Sequence, residues 1–423
     1  MTHAIPNGEA RVRMRKLVGW GIIGQAGYVA SQFLLLLALA RFASVAEVGH
    51  FGFANALVVP VVFLLNLGMR VNQATDISRR YSFQEFLLLR TIATAVAYLV
   101  IVVIAFTAVD AVTRPIILVF GAAKAVEMFS DFFYGIFQRA ERLEFVARSL
   151  ALRGFGSAIL FAIILAATGA TALAFAAHLV VWVLVAIFVD YLPAHRIAMQ
   201  GEEIRPARWN AVFEMARSSV SLGVNSMLAA LQNSLPRYII GWVISIVALG
   251  QFTVVAYANQ AIVTVFTAIG QSITSRLAFY AVNSNRQAFF GNLHKLIGLI
   301  LVGGLGATLV GLGIGGWLIR TVFGAEYDNL GPLFALCILS ATLQACVIIL
   351  QSGLFAFRDF HLSMILRGFS IGLMSVACFV GAWVGGLIGL SWGMSFTFLI
   401  HSIALWLVLQ RKKFSEPDRT VEP

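Results

Sequence analysis

The sequence predicts an all-α polytopic membrane protein, with twelve transmembrane helices in two six-helix lobes around a central cavity. Three observations predict it. Of 423 residues, 60% are hydrophobic and only 12% charged, more apolar surface than a soluble chain of this length can hide. Apolar runs of at least about 18 residues recur along the whole chain, each long enough to cross a hydrocarbon core of roughly 30 Å. Lys and Arg gather in alternate connections between those runs.

The first six spans fall at 17–40, 50–70, 86–108, 115–138, 149–168 and 171–192. The first follows the basic stretch RVRMRK. "ALA" at 38–40 mimics a cleavage site, but the run is longer than a signal-peptide core, so it reads as an uncleaved span. The second six fall at 218–245, 250–276, 292–319, 331–356, 367–384 and 387–409. Between the two sets lies the longest polar stretch, 193–217. The division predicted is an N-terminal lobe over 1–195, a cytoplasmic linker over 196–217, a C-terminal lobe over 218–410 and a cytoplasmic tail over 411–423. The halves echo each other: VGHF at 48–51 follows span one, and LGQF at 249–252 follows span seven. Each half holds six spans, so the repeat is parallel, about an axis along the membrane normal.

Charge orients the chain. The N-tail, the C-tail and the connections after even-numbered spans hold 24 of the 30 basic residues. The opposite side holds Arg41, Arg114 and Arg320, and Arg90, Lys124 and Arg237 fall within spans. Both termini are therefore expected in the cytoplasm. This topology accounts for the net charge of +11 and removes the need for a nucleic-acid partner. Cys337, Cys346 and Cys378 all sit in apolar runs, which implies neither a disulfide framework nor a metal site, and no cofactor is expected.

A water-filled cavity needs polar stripes along its helices. At 100° per residue, six spans show one. Span one aligns Gln25, Tyr28 and Gln32. Span two carries Asn55, Pro60 and Asn66. Span four aligns Lys124, Glu127, Asp131, Tyr134 and Gln138, and span seven Ser219, Ser226, Asn233 and Arg237. In span eight, Thr253, Tyr257, Gln260, Thr264, Thr267 and Gln271 share an arc of about 80°. Span ten aligns Ser340, Gln344 and Gln351. Spans one, two and four match seven, eight and ten under the repeat. Spans nine and eleven are apolar and glycine-rich, as lipid-facing or tightly packed outer helices would be.

Charges inside spans each cost roughly 2.5–3.5 kcal/mol at the bilayer centre. Lys124 and Glu127, three residues apart, can pair, either as a buried ion pair that fixes helix position or as cavity charges for cargo or a coupling ion. Asp131 has no basic partner one turn away in its own helix, so Glu127 and Asp131 are the ion-coupling candidates, for H+ or Na+. Arg90, near the cytoplasmic end of span three, can snorkel or meet cargo. Arg237 follows Pro236 at a depth of about 12 Å, where a guanidinium suits phosphate oxygens. Arg41, Arg70 and Arg114 lie near the mouths, where solvent and lipid headgroups are the default partners. His178 and His401 read as structural. No G-x-x-x-x-G-K-[ST] occurs, and the outward connections are short, so neither an ATP motor nor an enzyme active site has a place.

Several segments resemble the polysaccharide-transport (Wzx-type, lipid-linked oligosaccharide flippase) branch of the multidrug/oligosaccharidyl-lipid/polysaccharide (MOP) flippase superfamily. They are GIIGQAGYVASQFLLLLALARFASVAEVGHFGFANAL near the N-terminus, NLGMRVNQATDISRRYS at 66–82, FSDFFYGIFQRAERLEFVARSLALRG at 129–154, LPRYIIGWVISIVALGQFTVVAYANQ around Arg237, and FGAEYDNLGPLF at 323–334. The resemblance implies a two-lobed cavity. It also implies transfer of an undecaprenyl-pyrophosphate-linked oligosaccharide from the cytoplasmic to the periplasmic leaflet of a bacterial inner membrane. Membrane lipids, a polysaccharide polymerase and a chain-length regulator are the partners it implies. In this reading Arg237 and Lys124 hold the pyrophosphate. Arg90, Arg70, Arg41, Gln25, Tyr28, Gln32, Asn233, Tyr257, Gln260 and Gln344 complete the substrate-binding set. The chain departs from the family in two ways: Pro236 stands where members often have Asp, and span one has no acid, unlike drug and cation antiporters of the superfamily. The alternatives are a small-molecule antiporter, which would need a net negative cavity, and a non-transporting membrane glycosyltransferase or scaffold.

Overall fold

The computed structural model describes residues 8–76, 80–200 and 206–412. Arg79, Arg205, Lys413 and Arg419 of the charge tally, and the tail beyond 412, lie outside the described residues. The described chain is helical from end to end: α1 (Gly8–Phe42), α2 (Val45–Asn66), α3 (Met69–Thr75), α4 (Phe83–Thr107), α5 (Arg114–Arg139), α6 (Leu143–Ala151), α7 (Ser157–Thr168), α8 (Thr171–Val185), α9 (Leu192–Gln200), α10 (Trp209–Ile239), α11 (Ile246–Val282), α12 (Arg286–Phe323), α13 (Gly331–Ala356) and α14 (Phe360–Arg411). Single π-helical turns join α6 to α7 (Leu152–Gly156), join α8 to α9 (Ala186–Tyr191) and follow α10 (Ile240–Ile244).

Among the described residues, nine helical stretches are long and apolar enough to cross a membrane. One of them, α14, is two helices, because the backbone leaves helical angles at Gly385 and Gly386. Gly386 takes φ +56°, a left-handed conformation that a Cβ would strain, so the predicted outward turn between spans eleven and twelve is made by glycine. α5 and α10, at 26 and 31 residues, are also long enough to cross a membrane, but α5 carries three mid-helix charges and α10 is rich in Ser and Asn. The chain is thus a multi-pass α-helical membrane protein with the twelve rods the sequence predicts.

The chain divides into two compact units, Met1–Ala230 and Leu231–Pro423. Residues 196–217, read from the sequence as the connection between lobes, hold the end of α9 and the start of α10. Ala194, Ala198, Val212 and Met215 recur at helical spacing and are buried in the first unit's core with Phe83, Phe86 and Phe137, so both helices run past the expected span ends.

In the first unit α5 is central and packs against α2, α3, α4 and α8. In the second unit α13 is central, packed against α11, α12 and α14. α12 has both characters expected of span nine, on opposite faces. Gly304, Gly311 and Gly315 lie against Thr342, Ile338 and Phe334 of α13, while Leu299, Val302, Leu309 and Trp317 are exposed, as a lipid-facing surface would be.

Helix starts repeat as well. Ser44 caps α2 through the Glu47 N–H, with Glu47 reaching back in a capping box, and Ser245 caps α11 through the Ala248 N–H. The two serines stand at the same offset in sequence as Gly49 and Gly250.

Candidate functional site

The polar stripe of α5 is the centre of a network in the first unit. Lys124 Nζ donates to Glu127 Oε2 at 2.6 Å, and Tyr28 Oη of α1 donates to Glu127 Oε1 at 2.7 Å. Arg153, from the π turn before α7, brings a guanidinium nitrogen to 3.7 Å from the same Oε1. Arg153 is 1% exposed, with its guanidinium over the rings of Trp182 (4.8 Å), Tyr28 (5.6 Å) and Tyr134 (5.7 Å). Lys124 lies 5.5 Å from the ring centres of both Phe120 and Trp182. Two cations and a phenol therefore converge on one carboxylate, held in aromatic walls that favour cations. Gly154 allows this approach: a Cβ there would run into Ser31 Oγ of α1.

One turn further along α5, Asp131 is not alone. Arg70 of α3 meets Asp131 Oδ1 at 3.4 Å, and Asn66 donates to Oδ2 at 3.3 Å. Arg70 also donates to Gln138 Oε1 at 3.4 Å and lies over Tyr134. The expectation that Asp131 lacks a basic partner holds within its own helix and is corrected by tertiary structure: the tight turn after α2 folds α3 back onto α5. Arg90 does not snorkel. It is fully buried, donates to the Asn66 carbonyl at 3.4 Å, and faces Asp131. Arg41 and Gln25 are exposed and Gln32 is half-buried. His178 and His401 are buried, His178 against Trp182, in the structural positions expected.

In the second unit the stripes divide. Arg237 is half-buried and donates to its own helix, to the Asn233 carbonyl at 3.1 Å. It makes no ion pair among the described residues, and its electrostatic neighbours are Tyr257, Tyr238 and Cys337. Gln344 Nε2 donates to Asn233 Oδ1 at 2.9 Å, so α10 and α13 join beside Arg237. Gln260 is exposed, and Thr253, Thr264 and Thr267 donate back to carbonyls four residues earlier in α11. The span-ten stripe is only partly open. Ser340 is buried against Ser391 and Ser395 of α14, and Gln351 is buried between Ser363 and Arg367. Those two side chains pair helix to helix because α14 covers that side of α13, a contact that helical periodicity alone does not register.

Sequence reading missed two ionisable residues of the network, Arg153 and Asp190. Arg153 was counted with the cytoplasmic connection because positive charge gathers there, although it lies inside span five. Asp190 is the lone acid in the apolar run of span six, and an acid in such a run is itself a signal.

Helical rods of this number and order, with ionisable residues set inside them, make a polytopic membrane fold that is shared with solved membrane proteins. An inward-facing multidrug resistance MATE family transporter of the MOP superfamily matches with a TM-score of 0.74, over 90% of this chain and 94% of that one, at 14% identity. The lipid II flippase MurJ in an inward closed conformation matches with a TM-score of 0.72, over 93% of this chain and 87% of that one, at 10% identity. By sequence, the chain is 23% identical over 308 residues to the capsular polysaccharide biosynthesis protein CapF of Staphylococcus aureus, 70% of this chain and 74% of that protein. No family model matches. The resemblance read from the residues agrees with these likenesses.

Proposed function

We propose that this protein moves a lipid-linked oligosaccharide, carried on undecaprenyl pyrophosphate, from the cytoplasmic to the periplasmic leaflet of a bacterial inner membrane by alternating access, with both termini cytoplasmic. The observation that carries the reading is Arg237, a half-buried guanidinium within a span with no carboxylate paired to it among the described residues. An uncompensated cation at membrane depth is costly unless an anion meets it during the working cycle. A diphosphate supplies that anion with matching bidentate geometry. Asn233, Gln344 and Tyr257 beside it offer hydrogen bonds of the kind sugar hydroxyls accept and donate. In the first unit Arg70 and Lys124 are further cations suited to an anion, Lys124 by leaving Glu127. The likeness to a capsular polysaccharide biosynthesis protein supports a glycan cargo. A polymerase and a chain-length regulator would act on the product, and H+ or Na+ binding at Glu127 or Asp131 would couple the cycle. A small-molecule antiporter would need an excess of acids inside the helices, whereas Arg237 has no carboxylate paired to it among the described residues.

The test is complementation of surface glycan in cells lacking the gene. Arg237→Ala is expected to lower export roughly tenfold or more, the loss of one charged hydrogen-bonded contact of about 1.5–3 kcal/mol, with partial recovery in Arg237→Lys. Unchanged export in both Arg237→Ala and Lys124→Ala would rule out the diphosphate contact.

A further inference from the structure

Glu127 is oversupplied with donors, while Asp190 has the hydroxyls of Ser149 and Ser130 near it and no well-formed hydrogen bond. Asp190 lies on the π turn between α8 and α9, is 0% exposed, and neither carboxylate oxygen has a hydrogen-bond partner. The groups facing it are Arg153 from the π turn before α7, Ser149 from α6, and Ser130 and Tyr134 from α5. Ser149 Oγ is already engaged with Tyr134 Oη at 2.7 Å. Ser130 Oγ has no partner, and neither have Nε and one terminal nitrogen of Arg153. On α8, His178 and Trp182 lie beside Arg153 rather than Asp190. On α9, His195 turns to Phe83 and Tyr191, and Arg196 is exposed. One buried neighbourhood thus holds acceptors on an acid and donors on a cation that lack formed hydrogen bonds and are not joined to each other.

An ionised carboxylate buried without a donor costs several kcal/mol, and its neutral form costs far less. Among the described residues Arg153 is the one cation facing both acids. Glu127 would keep Lys124 and Tyr28 if Arg153 left it. We propose that Asp190 is a proton-binding site of the first unit, and that Arg153 moves between Glu127 and Asp190 as the proton is gained and lost. With the proton on Asp190, Arg153 rests near Glu127, the arrangement seen. When the proton leaves to water, Arg153 swings to the Asp190 carboxylate and its stacking on Tyr28 of α1 is lost. The proton comes from hydronium and returns to water, and no other covalent bond changes. Both residues lie on π turns, local bulges that recur at functional sites and can absorb such a movement. The coupling role of this switch rests on the transport reading; the switch itself does not.

Infrared titration of the full chain in lipid nanodiscs, with isotope-labelled aspartate, reads the site without transport. The wild type is expected to show a buried carboxylic-acid C=O band that disappears as pH rises and is missing from Asp190→Asn. Asp190→Glu is the second variant; its band should return unlabelled and still titrate, and Arg153→Lys should shift the titration midpoint. A wild type without a titrating band, or a band that survives in Asp190→Asn, overturns the proposal. In cells, Asp190→Asn should lower glycan export at least tenfold and make the remainder insensitive to a protonophore; export that still responds as in wild type also overturns it. If the wild-type chain exports no glycan, the transport reading fails, while the infrared titration still decides the switch.

Discussion

α5 and α13 are the central helices of their units, and they solve one problem in two ways. Both are 26 residues long and carry proline at the second position. Counting from Arg114 and Gly331, Glu127 and Gln344 occupy the same place in each. Around Glu127 the first unit assembles Lys124, Tyr28 and Arg153. Around Gln344 the second unit offers Asn233, with Arg237 nearby and without an ion pair among the described residues. The first unit therefore neutralises its charges internally, where they hold α1, α5 and the π turn before α7 in register. The second sets neutral amides there, and Arg237 has no carboxylate paired to it among the described residues.

The contrast can be broken most directly at its centre. Glu127→Ala leaves two cations without their carboxylate and is expected to destabilise the protein by about 3–5 kcal/mol, the usual loss on breaking a buried pair. Gln344→Ala removes one neutral hydrogen bond and is expected to cost about 0.5–1.5 kcal/mol. Chemical unfolding in detergent compares them; equal losses would show that the two central helices are not held differently.

A smaller difference is expected at the helix starts. Ser44 works in a full capping box whose Glu47 also accepts from Thr171 of α8, whereas Ser245 makes a single cap. Ser44→Ala should cost about 1–2 kcal/mol and Ser245→Ala about 0.5–1 kcal/mol by the same measurement. The reverse order would mean that the box adds nothing to this repeat.

The smallest effect concerns pH. Asp359 caps α14 through the Leu362 N–H and accepts from Lys412 at the far end of the same chain of helices. Lys412, then the Leu362 N–H, holds the Asp359 carboxyl below its ordinary range. Because the folded value is lowered, the link contributes stability above the unfolded carboxylate value and loses it as pH falls through the folded one. Lys412→Ala should therefore lower the unfolding midpoint at neutral pH and match wild type well below pH of about 4. A gap that stays constant through the acid range would remove the ion pair from the account.

The fold was largely legible in the sequence. Apolar length marks a span whatever surrounds it, and basic residues punctuate the connections, so even α5 and α10 could be assigned despite their polarity. The VGHF and LGQF echo is matched by the shared caps at Ser44 and Ser245. The site was legible only as helix faces. Lys124 and Glu127 are three residues apart, so their pairing follows from helix geometry. Asp131 meeting Arg70, Ser340 meeting Ser395, and Gln351 meeting Arg367 link residues that no helical period connects.

By itself, the sequence determined which segments are helices, how many there are, and which face of each is polar, because hydrophobic burial and backbone hydrogen bonding in a membrane act along one segment at a time. Only the tertiary structure decided which polar side chains are spent on one another and which stay open. That choice depends on the neighbour each face meets, as when α14 covers Ser340 and the two π turns carry Arg153 and Asp190 inward.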